Sequence, residues 1–75
     1  MKVVDHKDLN ELCACIGKKC HIVLDTIGLP ISEFEGLLTN VEIHTNAPLI
    51  RIVIEVEGAS VKLQVRYIRS MSIEE

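Results

Sequence analysis

Three cysteines and a histidine fall close together at Cys13, Cys15, Cys20 and His21. Thiolates and imidazoles are the ligands zinc favours, yet the spacing argues against a metal here. Cys13 and Cys15 are two apart in a stretch that reads as helix, so their side chains leave it in different directions. Cys20 falls on the inward phase of the strand that follows. Asp5, His6 and Asp8 carry acid–base groups, but no spacing joins them into a catalytic set, and they read as a solvated start to the chain. There is no nucleophile–base pair, glycine-rich phosphate loop or nucleotide fingerprint. The reading is a non-enzyme with no metal and no other cofactor. The function is expected instead in two segments, residues 34–46 and 67–73, acting as binding surface.

The elements that position those segments follow from composition. The chain has 75 residues, enough for one domain over residues 1–75 and too few for a second core. Apolar residues make up 48%, which excludes a disordered tail, while Phe34 and Tyr67 are the sole aromatics. The core is therefore aliphatic, rich in β-branched side chains that pack well on a pleated surface. Eight Lys and Arg against eleven Asp and Glu give a net charge of −3, which counts against generic nucleic-acid affinity because phosphate binding needs a basic face. The first residues turn polar before any export-length apolar run, and no run has membrane-spanning length. With an odd number of cysteines, the expected location is intracellular: cytoplasmic, or nuclear in a eukaryote, and not a membrane.

Asp8 followed by Glu11 reads as a helix start, and Leu9, Leu12, Cys13 and Ile16 recur at helical spacing before Gly17 stops the pattern. This predicts a short helix over about residues 8–16. From residue 19 the period becomes two. Alternation predicts strands over about residues 19–25, 34–43, 49–57, 60–68 and 71–74. Residues 27–30 read as a turn, Gly36 as a bend or close approach, residues 44–48 as a loop and residues 57–60 as a hairpin turn. The fold class is mainly β: an N-terminal short helix and a five-stranded, strongly bent open small barrel of SH3-like kind.

Residues 34–46 resemble the first motif of the Sm and Sm-like family of RNA-binding ring proteins. Phe34, Gly36, Leu38, Val41 and Asn46 fall in register with it, and His44 matches a residue type common at its position. Tyr67-Ile68-Arg69-Ser70-Met71-Ser72-Ile73 is similar to the second motif, which centres on Ile-Arg-Gly. The chain departs from the family at Glu42, where Asp is usual, at Thr45, where Met is usual, and at Ser70, which stands in place of the glycine. Met71 and Ser72 replace the common Asp/Asn pair.

The resemblance implies a hexamer or heptamer ring of copies or related Sm-like subunits, with the fourth predicted strand of one subunit pairing to the fifth of the next. Val61, Leu63, Val65, Tyr67, Met71 and Ile73 would then form the subunit interface, a case of strand addition in which unpaired backbone groups satisfy one another. It also implies single-stranded RNA contacts at His44, Asn46 and Arg69. An amide reads a base edge, and a guanidinium or imidazole stacks on a base face. Each has a plainer reading, with Asn46 supporting a loop conformation and His44 and Arg69 simply solvated. The leading expectation is a ring subunit that binds short U-rich RNA or scaffolds a ribonucleoprotein. The alternative is a protein–protein interaction module on the same small barrel that has lost RNA binding, motivated by the net charge and the altered second motif.

Overall fold

The computed structural model describes residues 2–25, 32–45 and 49–74. Asn46 and the predicted turn at residues 27–30 lie outside them. The described elements are strand β1 (Lys2–Val4), helix α1 (Leu9–Cys13), strands β2 (Lys19–Leu24), β3 (Glu33–His44), β4 (Leu49–Val56) and β5 (Ala59–Gln64), a 3-10 turn at Val65–Tyr67, and strand β6 (Ile68–Ile73). All six strands join one antiparallel sheet in the order β1-β6-β2-β3-β4-β5.

That order forces the sheet to curl. Strands β5 and β6 are four inter-strand steps apart, about 19 Å in a flat sheet at about 4.8 Å per step. The link from Gln64 to Ile68 is one 3-10 turn and spans at most about 14 Å at full extension. Only a bent sheet brings the two strands within reach. Two devices produce the bend. Strand β3 pairs Leu38 with Ile54 but Asn40 with Val53, leaving Thr39 as an extra residue in a bulge; its hydroxyl donates to the Val53 carbonyl at 3.1 Å. Just before it, Gly36 passes so close to β4 that a Cβ there would collide with the Glu55 carbonyl oxygen. Bulges raise the local twist and glycine permits the close approach, so of the two readings of Gly36 it is the close approach that the structure shows.

Inside the curl lies an aliphatic core. Ile22, Leu38, Ile52 and Ile54 are fully enclosed, with Leu12, Cys20 and Met71 nearly so. The bulge at Thr39 also switches which residues of β3 face inward, from Gly36 and Leu38 before it to the half-buried Val41 after it. Helix α1 begins as its residues predict: the Asp8 carboxylate accepts from the Asn10 and Glu11 N–H groups at 3.0 and 3.4 Å. It ends sooner. After Cys13 the backbone tightens to three-residue bonds, from Cys15 N–H to Leu12 and from Ile16 N–H to Cys13. The tighter turn rotates Cys15 into the core and leaves Ile16 exposed, reversing the inward role read for Ile16 from a continuous helical period.

Three strand predictions change. The described residues form six strands rather than five, because Lys2–Val4 pairs with residues 71–73 of β6; three residues are too few to show a period. The fourth predicted strand ends at Gln64 rather than residue 68, since the chain must leave β5 to cross to β6. The last strand begins at Ile68 rather than residue 71. The hairpin between β4 and β5 narrows to Glu57 and Gly58, both with positive φ (51° and 83°), as a two-residue type I′ turn requires.

Strand β1 is weakly held. Val4 is buried but Lys2 and Val3 are exposed. Burying one valine side chain contributes about 1.5–3 kcal/mol, whereas fixing each backbone residue costs roughly 1–2 kcal/mol. Ordering three residues costs more than that one side chain returns, so the pairing to β6 has to supply the remainder.

Gly36→Ala is expected to destabilise the fold by about 1–3 kcal/mol, the usual cost of overpacking, because the methyl meets backbone and not a movable side chain. Urea unfolding of the variant against wild type measures this; an unchanged midpoint would mean that β3 and β4 do not approach so closely.

Candidate nucleic-acid interface and assembly edges

Of the residues singled out for binding RNA, His44 and Arg69 are among the described residues. His44 is the exposed last residue of β3 and pairs with Leu49 at the start of β4. Its Nε2 lies 2.8 Å from Arg51 Nη2. A guanidinium only donates, so Nε2 is the acceptor and the ring proton of the neutral imidazole sits on Nδ1. Arg51 is also 3.9 Å from Glu42 through Nε, and Glu42 reaches Lys62 Nζ at 3.4 Å. These side chains share the outer face of β3, β4 and β5. Glu42, Arg51 and Gln64 stand directly opposite one another across the three strands. Among the described residues, the buried side-chain polar atoms without a hydrogen-bond partner are Glu42 Oε1, Arg51 Nε and Gln64 Oε1, all in this one row. The row is bound by charge at loose geometry, and its half-exposed pairs contribute little to stability.

Arg69 occupies a different position. Strand β2 pairs Leu24 with Ile68 and Val23 with Ser70, so Arg69 is the extra residue of a second bulge. It is exposed and, among the described residues, forms no ion pair. The gap at residues 69–70 between the last two predicted strands has this bulge as its cause. Asn46 lies outside the described residues.

Of the six residues expected at a subunit interface, Leu63, Met71 and Ile73 are buried in this chain's own core. Val61 and Val65 are half-buried against it, and Tyr67 is exposed. What β5 offers a neighbour is therefore chiefly backbone: β4 pairs along one side of it, and no described strand pairs along the other. The outward edge of β6 is not equally free, because β1 covers residues 71–73.

Sequence reading missed two sets of residues. The Arg51–Glu42–Lys62 row was visible only as the polar phase of three alternating strands, since cross-strand register cannot be read from one chain. A cleft of about 250 Å³ lined by Lys7, Leu49, Ile50, Val65 and Arg66 sets two cations around an apolar floor where β4 begins. Arg66 lies over the Tyr67 ring, 4.8 Å from its centroid, and donates to the Tyr67 hydroxyl at 2.7 Å. A second depression, of about 330 Å³ beside Lys19, His21 and Glu35, carries matched charges. Lys19 meets Glu35 at 3.0 Å, and His21 meets Glu33 at 3.7 Å. The Lys19–Glu35 contact raises the ammonium pKa and lowers the carboxyl pKa.

Cys13 and Cys15 leave the helix in different directions as their spacing implies, but it is Cys15 and not the stripe residue Cys13 that turns inward. Cys13 is exposed, and Cys15 and Cys20 are buried. Cys20 Sγ donates to the Gly36 carbonyl at 3.4 Å, and burial pushes its thiol pKa up to about 11. No group of three or more potential metal ligands occurs among the described residues, and no described helix is long and apolar enough to cross a membrane.

Compared with protein-family models, with curated proteins and with solved structures, the chain matches none.

Because the folded state raises the Cys20 pKa, it holds that proton more tightly than the unfolded chain. The stability this contributes is complete below a free thiol's usual value and falls as pH rises towards about 11. Urea midpoints should accordingly decline through that alkaline window, and Cys20→Ala should flatten the decline. In the same protein at neutral pH, a thiol reagent should label Cys13 rapidly and Cys15 and Cys20 only on unfolding. Rapid labelling of all three would contradict the burial described above.

Proposed function

We propose that this chain is a subunit of an Sm-like assembly whose copies join sheet edge to sheet edge and whose β3 and β6 ends contact single-stranded RNA. The observation that carries the reading is the open edge of β5, a six-residue strand with one side unpaired among the described elements. Unpaired strand edges are templates for another strand, and a chain of this size gains stability by extending its sheet into a neighbour.

Further support comes from two positions of the motifs. Gly36, the glycine of the first motif, has no room for a side chain. Arg69, the arginine of the second, projects from a bulge with no ion-pair partner among the described residues. Bulges commonly re-aim a side chain towards a ligand, and a free guanidinium suits stacking on an unpaired base. His44, already held by Arg51, would present a fixed ring at the end of β3.

A second reading, a protein-interaction module without RNA, is favoured by the Glu42 carboxylate that sits among Arg51 and Lys62. In that arrangement part of the available positive charge is neutralised within the chain. The net charge of −3 points the same way.

Light scattering should give a mass several times that of one chain, whereas a strict monomer at every concentration would overturn the assembly. Arg69→Ala should weaken binding of a short oligo-U at low salt by roughly 5- to 100-fold, in line with the loss of one stacking partner. Binding that is undetectable in the unmutated protein, together with a protein partner retained after nuclease treatment, would establish the second reading instead.

A further inference from the structure

Strand β1 lies along the side of β6 that would otherwise be the second open edge of the sheet. Lys2, Val3 and Val4 pair with Ile73, Ser72 and Met71, so the sheet ends in β1 at one side and β5 at the other. The two end strands differ in kind. Strand β5 has six residues continuous with a long hairpin, while β1 has three, of which only Val4 is buried and Val3 is 78% exposed. We propose that β1 is a detachable cover over residues 71–73, and that the β5 edge of a second copy replaces it when copies join.

The argument is one of competition for the same backbone groups. Residues 71–73 on this side can bond to β1 of their own chain or to an incoming strand, but not to both. An incoming β5 brings a longer edge: its pairing could continue past Met71 along residues 68–70, which β1 does not reach. Nor would displacing β1 strip the face of β6 of its packing. Met71 and Ile73 point into their own core, so what changes hands is chiefly the edge hydrogen bonds together with the contact of Val4. The cover therefore sets a concentration threshold. Below it the chain closes its own edge, and above it a neighbour does so. This proposal rests on the edge-joined reading of the preceding section and adds that assembly requires β1 to leave.

Val3 and Ser72 are direct cross-strand partners, and antiparallel partners have a Cα separation suited to a disulfide. The protein carrying Val3→Cys and Ser72→Cys, with Cys13→Ser to remove the exposed thiol, can thus be locked by oxidation and released by reduction. Sedimentation or light scattering across a concentration series reads the result. The oxidised form should stay monomeric, and the reduced form should assemble like wild type. Protein lacking residues 2–4 should assemble at a concentration on the order of tenfold lower; where that truncation fails to fold, the reduced double-cysteine protein, whose cover is free to leave, takes the place of the uncovered arm. Equal assembly of oxidised and reduced forms overturns the cover and leaves edge joining intact. Absence of assembly in the uncovered arm, with circular dichroism showing a folded protein, overturns edge joining and the cover together.

Discussion

The short connection between β5 and β6 is the constraint from which the rest of the structure follows. Three residues, Val65–Tyr67, carry the chain from the end of the β2–β5 run to the strand that pairs with β2 on its far side. A flat sheet cannot accommodate that step, so the sheet curls. Curling in turn requires a bulge at Thr39 and a residue without a side chain at Gly36. It also encloses a core small enough for Ile, Leu, Val, Met and Cys to fill. Among the described residues the same curl leaves two sheet ends unjoined by hydrogen bonds, and these are the surfaces on which the functional reading rests.

Much of this was legible in the sequence wherever a period or a cap expresses a local rule. The alternation of Ile50, Ile52, Ile54 and Val56, the Asp8 cap and the glycine at the β4–β5 turn each correspond to an element at its expected place. The failures are of another kind. Strand β1 exists because residues 71–73 offer it an edge, and three residues carry no pattern of their own. Alternation at Val61, Leu63, Val65 and Tyr67 runs past the true end of β5, because the turn that follows imitates the period of a strand for two more residues. The bulge at Arg69 appeared as a broken pattern, but its cause required knowing that Leu24 faces Ile68 and Val23 faces Ser70.

The candidate site shows the same division. Exposure of His44 and Arg69 is what polar residues at strand ends and bulges predict. Their surroundings depend on register. Arg51 meets His44 and Glu42 only because β3 and β4 pair as they do, and this pairing decides how much of the positive charge is free. A chain with a net charge of −3 lacks the overall positive charge that draws a polyanion from a distance. Any nucleic-acid contact would be short-ranged, relying on stacking and edge recognition at a few residues.

The lone tyrosine has a further consequence. The chain has no tryptophan and one tyrosine, and Tyr67 stands in the turn joining β5 to β6 with Arg66 over its ring. Excited at wavelengths too long for Phe34 to absorb, the protein's near-ultraviolet emission therefore originates from a single ring, located between the two strands whose edges are in question and in contact with one cation. Events elsewhere in the fold are nearly silent to that signal, and events at this junction are not. The molecule carries its own optical label at the place where its state of assembly would be decided.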